Sequence, residues 1–285
     1  MFGGFTGAGM LFYDGAMGTM LQKRGLPTGA RPDVMNITAP SAVEEVHRMY
    51  VEAGSDIICA NTFGANRAAL KSAGLEVGAV VGAAVSAALR ASGGRAAVAL
   101  DVGPIGEFME PYGALTYEDA YSMFAELVRA GAEAGADIVA IETMSDLREL
   151  RAAITAAHES APLPVFATMT FNADGHTYTG CAPESFAAAA GELGADAAGI
   201  NCSLAPAVIY PIAERIAKCS NLPLIIKPNA GLPNASTGEY DLSPEEFARQ
   251  MAQFTRLNMR VAGGCCGTTP SHIRELRRAL GAVAS

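Results

Sequence analysis

Glu52-Ala53-Gly54-Ser55-Asp56-Ile57, Glu133-Ala134-Gly135-Ala136-Asp137-Ile138 and Glu192-Leu193-Gly194-Ala195-Asp196-Ala197 are near-copies of one junction. In each, a helical stretch closes on Gly and an apolar run follows at once, the pattern of a helix C-terminus feeding a buried strand. A unit that recurs with its junction intact is an αβ repeat. Outward from these junctions, short strand-like runs cover Met10 to Tyr13, Asp56 to Ala60, Ala96 to Leu100 and Asp137 to Ile141, then Pro164 to Thr170, Asp196 to Cys202, Pro223 to Lys227 and Met259 to Gly264. Between them lie stretches of helical period, such as Val43, Val46, His47 and Tyr50, or Tyr121, Phe124, Leu127 and Val128.

Helix starts are marked as well. Ser41 with Glu44 reads as a capping box, Ser243-Pro244-Glu245-Glu246 supplies cap, first-turn Pro and acidic third residue in order, and Thr269-Pro270 opens the last helix. Eight βα units whose strands are apolar on both faces, with no Gly/Pro/Ser-rich linker, predict an α/β fold of the (β/α)8 TIM-barrel type, one domain over 1–285. An open doubly wound sheet is the alternative, but the first βα turn, Asp14-Gly15-Ala16-Met17-Gly18, lacks the G-x-G-x-x-G phosphate fingerprint.

Composition narrows the function classes. The 285 residues carry 20 Lys and Arg against 29 Asp and Glu, and the net charge of -9 argues against nonspecific nucleic-acid or anionic-membrane binding. The longest uncharged apolar segment, Val77 to Leu89, is shorter than the ~20 residues that span a bilayer. No basic region precedes an apolar stretch near Met1, so a cytoplasmic location is expected. Six cysteines at irregular spacing in so long a chain do not make a disulfide framework.

Two of those cysteines are adjacent, in Gly263-Gly264-Cys265-Cys266-Gly267, at the end of the last apolar run. Neighbouring thiols bridge each other only with backbone strain, and they read better as paired metal ligands. Cys202, in Gly199-Ile200-Asn201-Cys202-Ser203, ends another apolar run and is the natural third ligand. In a barrel the C-terminal strand ends share one rim, so strands 6 and 8 can present all three thiols to one ion. Three protein ligands with a vacancy describe a catalytic zinc. A lone strand-end Cys is ordinarily packing, and the case for Cys202 rests on Cys265 and Cys266. Cys59, Cys181 and Cys219 are expected to be small buried or half-buried residues.

The same rim carries Asp14, Asn61, Asp101, Glu142, Thr170 and Asn229. Asp14 suits either an Asx-turn or a grip on a substrate ammonium, and Glu142 either a salt bridge or the same grip. Backbone N–H groups of the Gly15-Ala16 turn would receive a substrate carboxylate. Asn229 either shapes its loop, orients substrate or lends an oxygen to the metal. His47, His158 and His272 fall on helical stretches and read as surface or packing residues, while His176 is the only His near the rim. Asp174-Gly175-His176-Thr177-Tyr178-Thr179-Gly180 looks like a corrinoid-ligating D-x-H-x-x-G segment, but it has one residue too many and reads as a βα loop.

Several motifs now stand in order along the chain: Asp14-Gly15-Ala16-Met17-Gly18-Thr19, Ala60-Asn61-Thr62-Phe63-Gly64-Ala65-Asn66-Arg67, Asp101-Val102-Gly103-Pro104 and Glu142-Thr143. Gly199 to Ser203, Pro228-Asn229-Ala230-Gly231 and Gly263 to Pro270 complete the set. Together they resemble the homocysteine S-methyltransferase family, and within it the N-terminal homocysteine-binding barrel of cobalamin-dependent methionine synthase more than the betaine or S-methylmethionine enzymes. The resemblance implies a barrel with zinc on Cys202, Cys265 and Cys266, and substrate contacts at Asp14, Gly15, Ala16, Glu142 and Asn229. Many relatives carry an acidic residue where this chain has Met20.

What the resemblance implies chemically is activation of the homocysteine thiol as a thiolate for attack on a methyl group, giving methionine. The donor it suggests is methylcobalamin carried by a separate corrinoid protein. S-methylmethionine or betaine as donor is the second reading, and a non-catalytic subunit that binds zinc and homocysteine is the third. In a fourth, the cysteines are structural and unrelated chemistry sits on the rim carboxylates.

Overall fold

The computed structural model describes residues 9–27, 29–202, 204–234 and 236–281. Eight parallel strands appear where apolar runs were expected: β1 (Leu11–Phe12), β2 (Ile57–Cys59), β3 (Ala97–Val102), β4 (Ile138–Met144), β5 (Val165–Met169), β6 (Ala197–Asn201), β7 (Leu224–Lys227) and β8 (Met259–Ala262). They form one sheet in the order β1-β8-β7-β6-β5-β4-β3-β2. A parallel bridge from Tyr13 to Ile57 and the Asp14 N–H bond to the Ile57 carbonyl at 3.0 Å bring its two edges together. The chain is a single-domain (β/α)8 TIM barrel.

Each strand is followed by a principal helix: α1 (Pro40–Ala53), α2 (Val77–Ser92), α3 (Tyr117–Glu133), α4 (Leu147–Ser160), α5 (Pro183–Glu192), α6 (Pro206–Cys219), α7 (Pro244–Met251) and α8 (Pro270–Gly281). The three junction glycines, Gly54, Gly135 and Gly194, all take positive φ, at 100°, 95° and 78°. That conformation turns the chain out of its helix and costs other residues energy. The next Asp in each copy then bonds the neighbouring strand: Asp56 Oδ2 accepts from Phe12 N–H, Asp137 Oδ2 from Val98 N–H and Asp196 Oδ2 from Val165 N–H. The repeat therefore encodes strand pairing at the barrel's N-terminal end as well as helix termination.

The Ser243 hydroxyl accepts from Glu246 N–H and caps α7, as its sequence predicts. The capping box at Ser41 does not form. α1 starts two residues earlier, with Pro40 in its first turn and Ala39, in place of Ser41, as a cap without a side-chain bond. Proline's fixed φ and missing N–H suit that first position better than Ser41 does. Cys219, expected to be at least half-buried, ends α6 exposed. His158 is exposed, and His272 is buried. No single helix among the described residues is long and apolar enough to cross a membrane, and α2 is largely buried against the barrel.

Inside the barrel, the strand period of two places Tyr13, Ile57, Cys59, Ala97, Ala99, Ile138, Ala140, Phe166, Ala197, Ile225 and Val261 in one interior cluster. Many of these side chains are small, which leaves room for larger polar groups in the layer above. The same alternation carries Asp101, Glu142, Asn201 and Lys227 inward at the C-terminal end, one step beyond Ala99, Ala140, Gly199 and Ile225. At Gly199, a Cβ would fall 1.9 Å from the Ile225 carbonyl oxygen, so only glycine lets β6 lie this close to β7.

His47 sits on α1 facing the outer core, fully buried, and neither ring nitrogen has a hydrogen-bond partner. Burial lowers its pKa from 6.5 to about 4. Between those values the unfolded chain binds a proton that the native chain refuses, so the stability present above pH 6.5 drains away as pH falls. His47→Leu should relieve this, raising stability at pH 5 by on the order of 2 kcal/mol more than at pH 7.5. Urea unfolding at the two pH values measures the difference.

Candidate functional site

β7 organises the rim on which the cysteines meet. Its last carbonyl, on Lys227, accepts the Cys202 N–H at 3.0 Å from the β6 side, and the next carbonyl, on Pro228, accepts the Cys265 N–H at 2.8 Å from the β8 side. The Cys266 carbonyl in turn accepts the Ala230 N–H at 3.0 Å. Two adjacent carbonyls of one chain segment thus hold cysteine loops that are far apart in sequence. Cys202 itself takes φ 61°, a left-handed conformation rare outside glycine, which turns its side chain out of the strand alternation. Ser203, the next residue of that motif, lies outside the described residues.

The sulfurs of Cys202, Cys265 and Cys266 all lie within 4.8 Å of one another, with Cys202 Sγ and Cys266 Sγ 3.9 Å apart. Four thiolates around zinc at ~2.3 Å would sit about 3.8 Å from each other, so the spacing fits three corners of that tetrahedron. Hydrogen bonds from Cys202 and Cys265 push Cys266 down to about 3, while hydrogen bonds to Cys202 and Cys266 push Cys265 up. A shared thiolate is therefore already favoured. The Tyr240 hydroxyl also bonds Cys266, and burial together with the Cys266 charge raises its own pKa. Tyr240 packs on Gly267, where a Cβ would fall 2.1 Å from the ring.

These thiols form part of the wall of a cleft of about 720 Å³ that also takes in Asp14, Cys59, Asp101, Glu142 and Lys227. Asp14 is not in an Asx-turn: its Oδ2 accepts the Cys59 N–H from the adjoining β2 at 2.8 Å, and burial raises its pKa to about 7. Glu142 is ion-paired with Lys227, and both are buried. The Lys227 ammonium also lies 3.7 Å from Cys59 Sγ and 4.3 Å from the centre of the Tyr13 ring. After Glu142, Thr143 takes φ 62° and its N–H bonds Asn201 Oδ1 at 2.8 Å, so β6 fixes where β4 bends.

Sequence reasoning placed Asp14, Gly15, Ala16, Glu142 and the three cysteines on one cleft, and they line it together. It gave Lys227 no role. The signal was available, because Lys227 follows Ile225 at strand spacing and must point inward. Three of the expected positions differ in the structure. The Ala16 N–H is taken by Thr268 Oγ1 at 3.2 Å, so Gly15 rather than Ala16 is the turn's candidate donor to a ligand carboxylate. His176 is not part of the cleft wall; its N–H bonds Asp174 Oδ1 in an exposed loop. Asn229 is buried behind the rim rather than lining it, with its N–H on the Leu204 carbonyl and its Oδ1 without a partner. Met20 is buried in the outer core.

Comparison with known proteins places this geometry. The model of the homocysteine S-methyltransferase family matches residues 11–280. The chain is similar to the methionine synthases of Mycobacterium leprae and Mycobacterium tuberculosis, at 33% and 32% identity, each over 94% of the chain. It spans only 24% of the length of those proteins. The metallated form of the homocysteine methyltransferase MmuM from Escherichia coli superposes with a TM-score of 0.83 at 25% identity, covering 94% of this chain and 96% of that one. A dihydrodipicolinate synthase, at 15% identity and a TM-score of 0.53, shares the fold alone.

Proposed function

The chain belongs to the homocysteine S-methyltransferase family, and from that premise we propose that it methylates the sulfur of L-homocysteine to give methionine. The observation that carries this reading is the meeting of three sulfurs from two non-adjacent strands in the wall of a cleft that also holds buried acids. Cys202, Cys265 and Cys266 would hold zinc. When bound, zinc would keep the substrate sulfur in its thiolate form at neutral pH, which is the nucleophilic form of a thiol.

The chain's own residues do the rest. Asp14 and Glu142 give the cleft its acidic wall toward the substrate ammonium, and the Gly15 N–H faces the substrate carboxylate. Asn229 holds the Cys202 loop through its N–H bond to the Leu204 carbonyl. Tyr240 fixes Cys266 by hydrogen bond and closes one side of the cleft. The substrate sulfur forms its bond to the methyl carbon as the donor leaves with the bonding electron pair, and the thiol proton passes to solvent.

Methylcobalamin on a separate corrinoid protein is the donor we favour, because the likeness to methionine synthases is 33% against 25% for MmuM. S-methylmethionine or betaine is the second reading, which the fit to the smaller MmuM barrel supports. The test measures zinc in protein purified without added metal, then methionine formed from L-homocysteine with free methylcobalamin, S-methylmethionine or betaine. About one zinc per chain and turnover with methylcobalamin is expected. Turnover with a small donor alone would move the assignment to the second reading. Tight homocysteine binding without transfer from any donor would leave only a binding subunit.

A further inference from the structure

The Thr268 side chain lies where the turn after β1 meets the loop after β8, and it is bonded to both. Its hydroxyl accepts the Ala16 N–H at 3.2 Å and donates to the Cys265 carbonyl at 2.7 Å, placing its single proton on the peptide that joins the two adjacent cysteines. The Thr268 N–H bonds the same carbonyl at 3.1 Å. A second bond crosses the seam beside it, from the Gly264 N–H to the Asp14 carbonyl at 3.1 Å. The Tyr50 hydroxyl, from α1, lies 2.9 Å from the Ala16 carbonyl and 3.1 Å from that of Thr268, one on each side of the seam. Thr268 and Tyr50 are both fully buried. The seam has no slack: a Cβ on Gly15 or on Gly264 would fall 2.4 Å from Thr268 Oγ1.

We propose that Thr268 is a positioning residue that couples the two ends of the substrate site, so that zinc on the cysteines and the amino-acid end of a ligand on the Gly15 turn each bind more tightly when the other is present. The inference deepens the proposed reading and rests on it. The Gly15 N–H and the Asp14 carbonyl belong to one peptide group, so a carboxylate that accepts from the first strengthens the second as acceptor for Gly264. On a parallel route, the Ala16 N–H, the Thr268 hydroxyl and the Cys265 carbonyl form a chain of bonds in which each polarises the next. The carbonyl that Thr268 holds sets how the Cys265-Cys266 peptide is turned, and with it the direction in which both sulfurs point.

Such coupling is reciprocal, so it can be read from the ligand side. L-2-Aminobutyrate is homocysteine without its sulfur; it keeps the ammonium and the carboxylate and brings no thiol to the metal. A gain in its affinity on loading zinc therefore passes through the protein or directly through space, and Thr268→Val separates the two routes. That variant keeps the shape of the side chain and removes the hydroxyl, whereas a direct attraction between the ion and the carboxylate would survive in it.

Dissociation constants for L-2-aminobutyrate would be measured by calorimetry on the reduced metal-free and the zinc-loaded forms of the wild type, Thr268→Val and Thr268→Ser. Zinc should tighten binding by ~5-fold or more in the wild type, the lower end of typical couplings, and Thr268→Ser, which keeps the hydroxyl, should keep that ratio. In Thr268→Val, with zinc still bound, the ratio should fall to within about 2-fold of one. A ratio near one in the wild type, or an undiminished ratio in Thr268→Val, would overturn the proposal. So would a zinc-loaded wild type that binds L-homocysteine but not L-2-aminobutyrate, because the turn would then hold no ligand of its own. Failure of the wild type to take up zinc or to bind L-homocysteine would overturn the substrate reading itself, and this inference with it. If Thr268→Val does not fold, Tyr50→Phe removes the hydroxyl between the two carbonyls and should lower the same ratio; an unchanged ratio there would overturn the coupling as well.

Discussion

On the proposed function, Cys202→Ala should abolish zinc binding and methyl transfer to homocysteine. The loss should exceed the ~10–100-fold that removal of a mere outer partner of a metal ligand costs, because a first ligand and its charge are removed. Cys202 comes from β6, whereas Cys265 and Cys266 come from the far side of β7, so no sulfur other than Cys202 ties the two loops to one ion. Zinc content by elemental analysis should fall from about one per chain to near zero. The far-ultraviolet spectrum should be unchanged, since the Cys202 N–H bond to the Lys227 carbonyl is made by the backbone and survives the substitution. Full metal content and activity in this variant would make the cysteines bystanders and refer the chemistry to the carboxylates.

Lys227→Met should have the largest effect on stability. Glu142 would then be a buried carboxylate without its ion-pair partner, and Asp14 and Asp101 would lose the nearest positive charge. Removing one member of a buried pair costs about 3–5 kcal/mol. The double variant Lys227→Met with Glu142→Gln should recover much of that, because no unpaired charge remains at the pair. Urea unfolding of the wild type, both single variants and the double closes the cycle. A Lys227→Met protein as stable as the wild type would show that the pair is screened by water in the cleft.

The sequence made the barrel legible for a physical reason. Strands buried on both faces must be apolar throughout, so all eight stand out as runs, and the Gly-x-Asp junctions mark where helices end and strands pair. The thiols were legible because adjacent cysteines between glycines have few other uses. Helix starts were less so: Pro40 and Ser41 both carry start signals, and only packing decides between them. Lys227 was passed over because a Lys before Pro228 at a strand's end reads as a surface charge, although its spacing of two from Ile225 turns it into the barrel. The Cys59 N–H that donates to Asp14 and the Thr268 hydroxyl that accepts from Ala16 are 45 and 252 residues away, and nothing local announces such partners.

The left-handed backbone at Cys202 has an evolutionary reading. A β-carbon in that region costs on the order of 1–3 kcal/mol, and glycine would fill the position more comfortably. The fold therefore carries a cysteine where its own stability favours another residue, as the proposed demand on its sulfur would require. Descendants freed from thiol chemistry would drift first at this position, with the barrel intact and more stable. The identity of residue 202 is thus a sensitive marker for whether a related barrel still practises the chemistry of its ancestors.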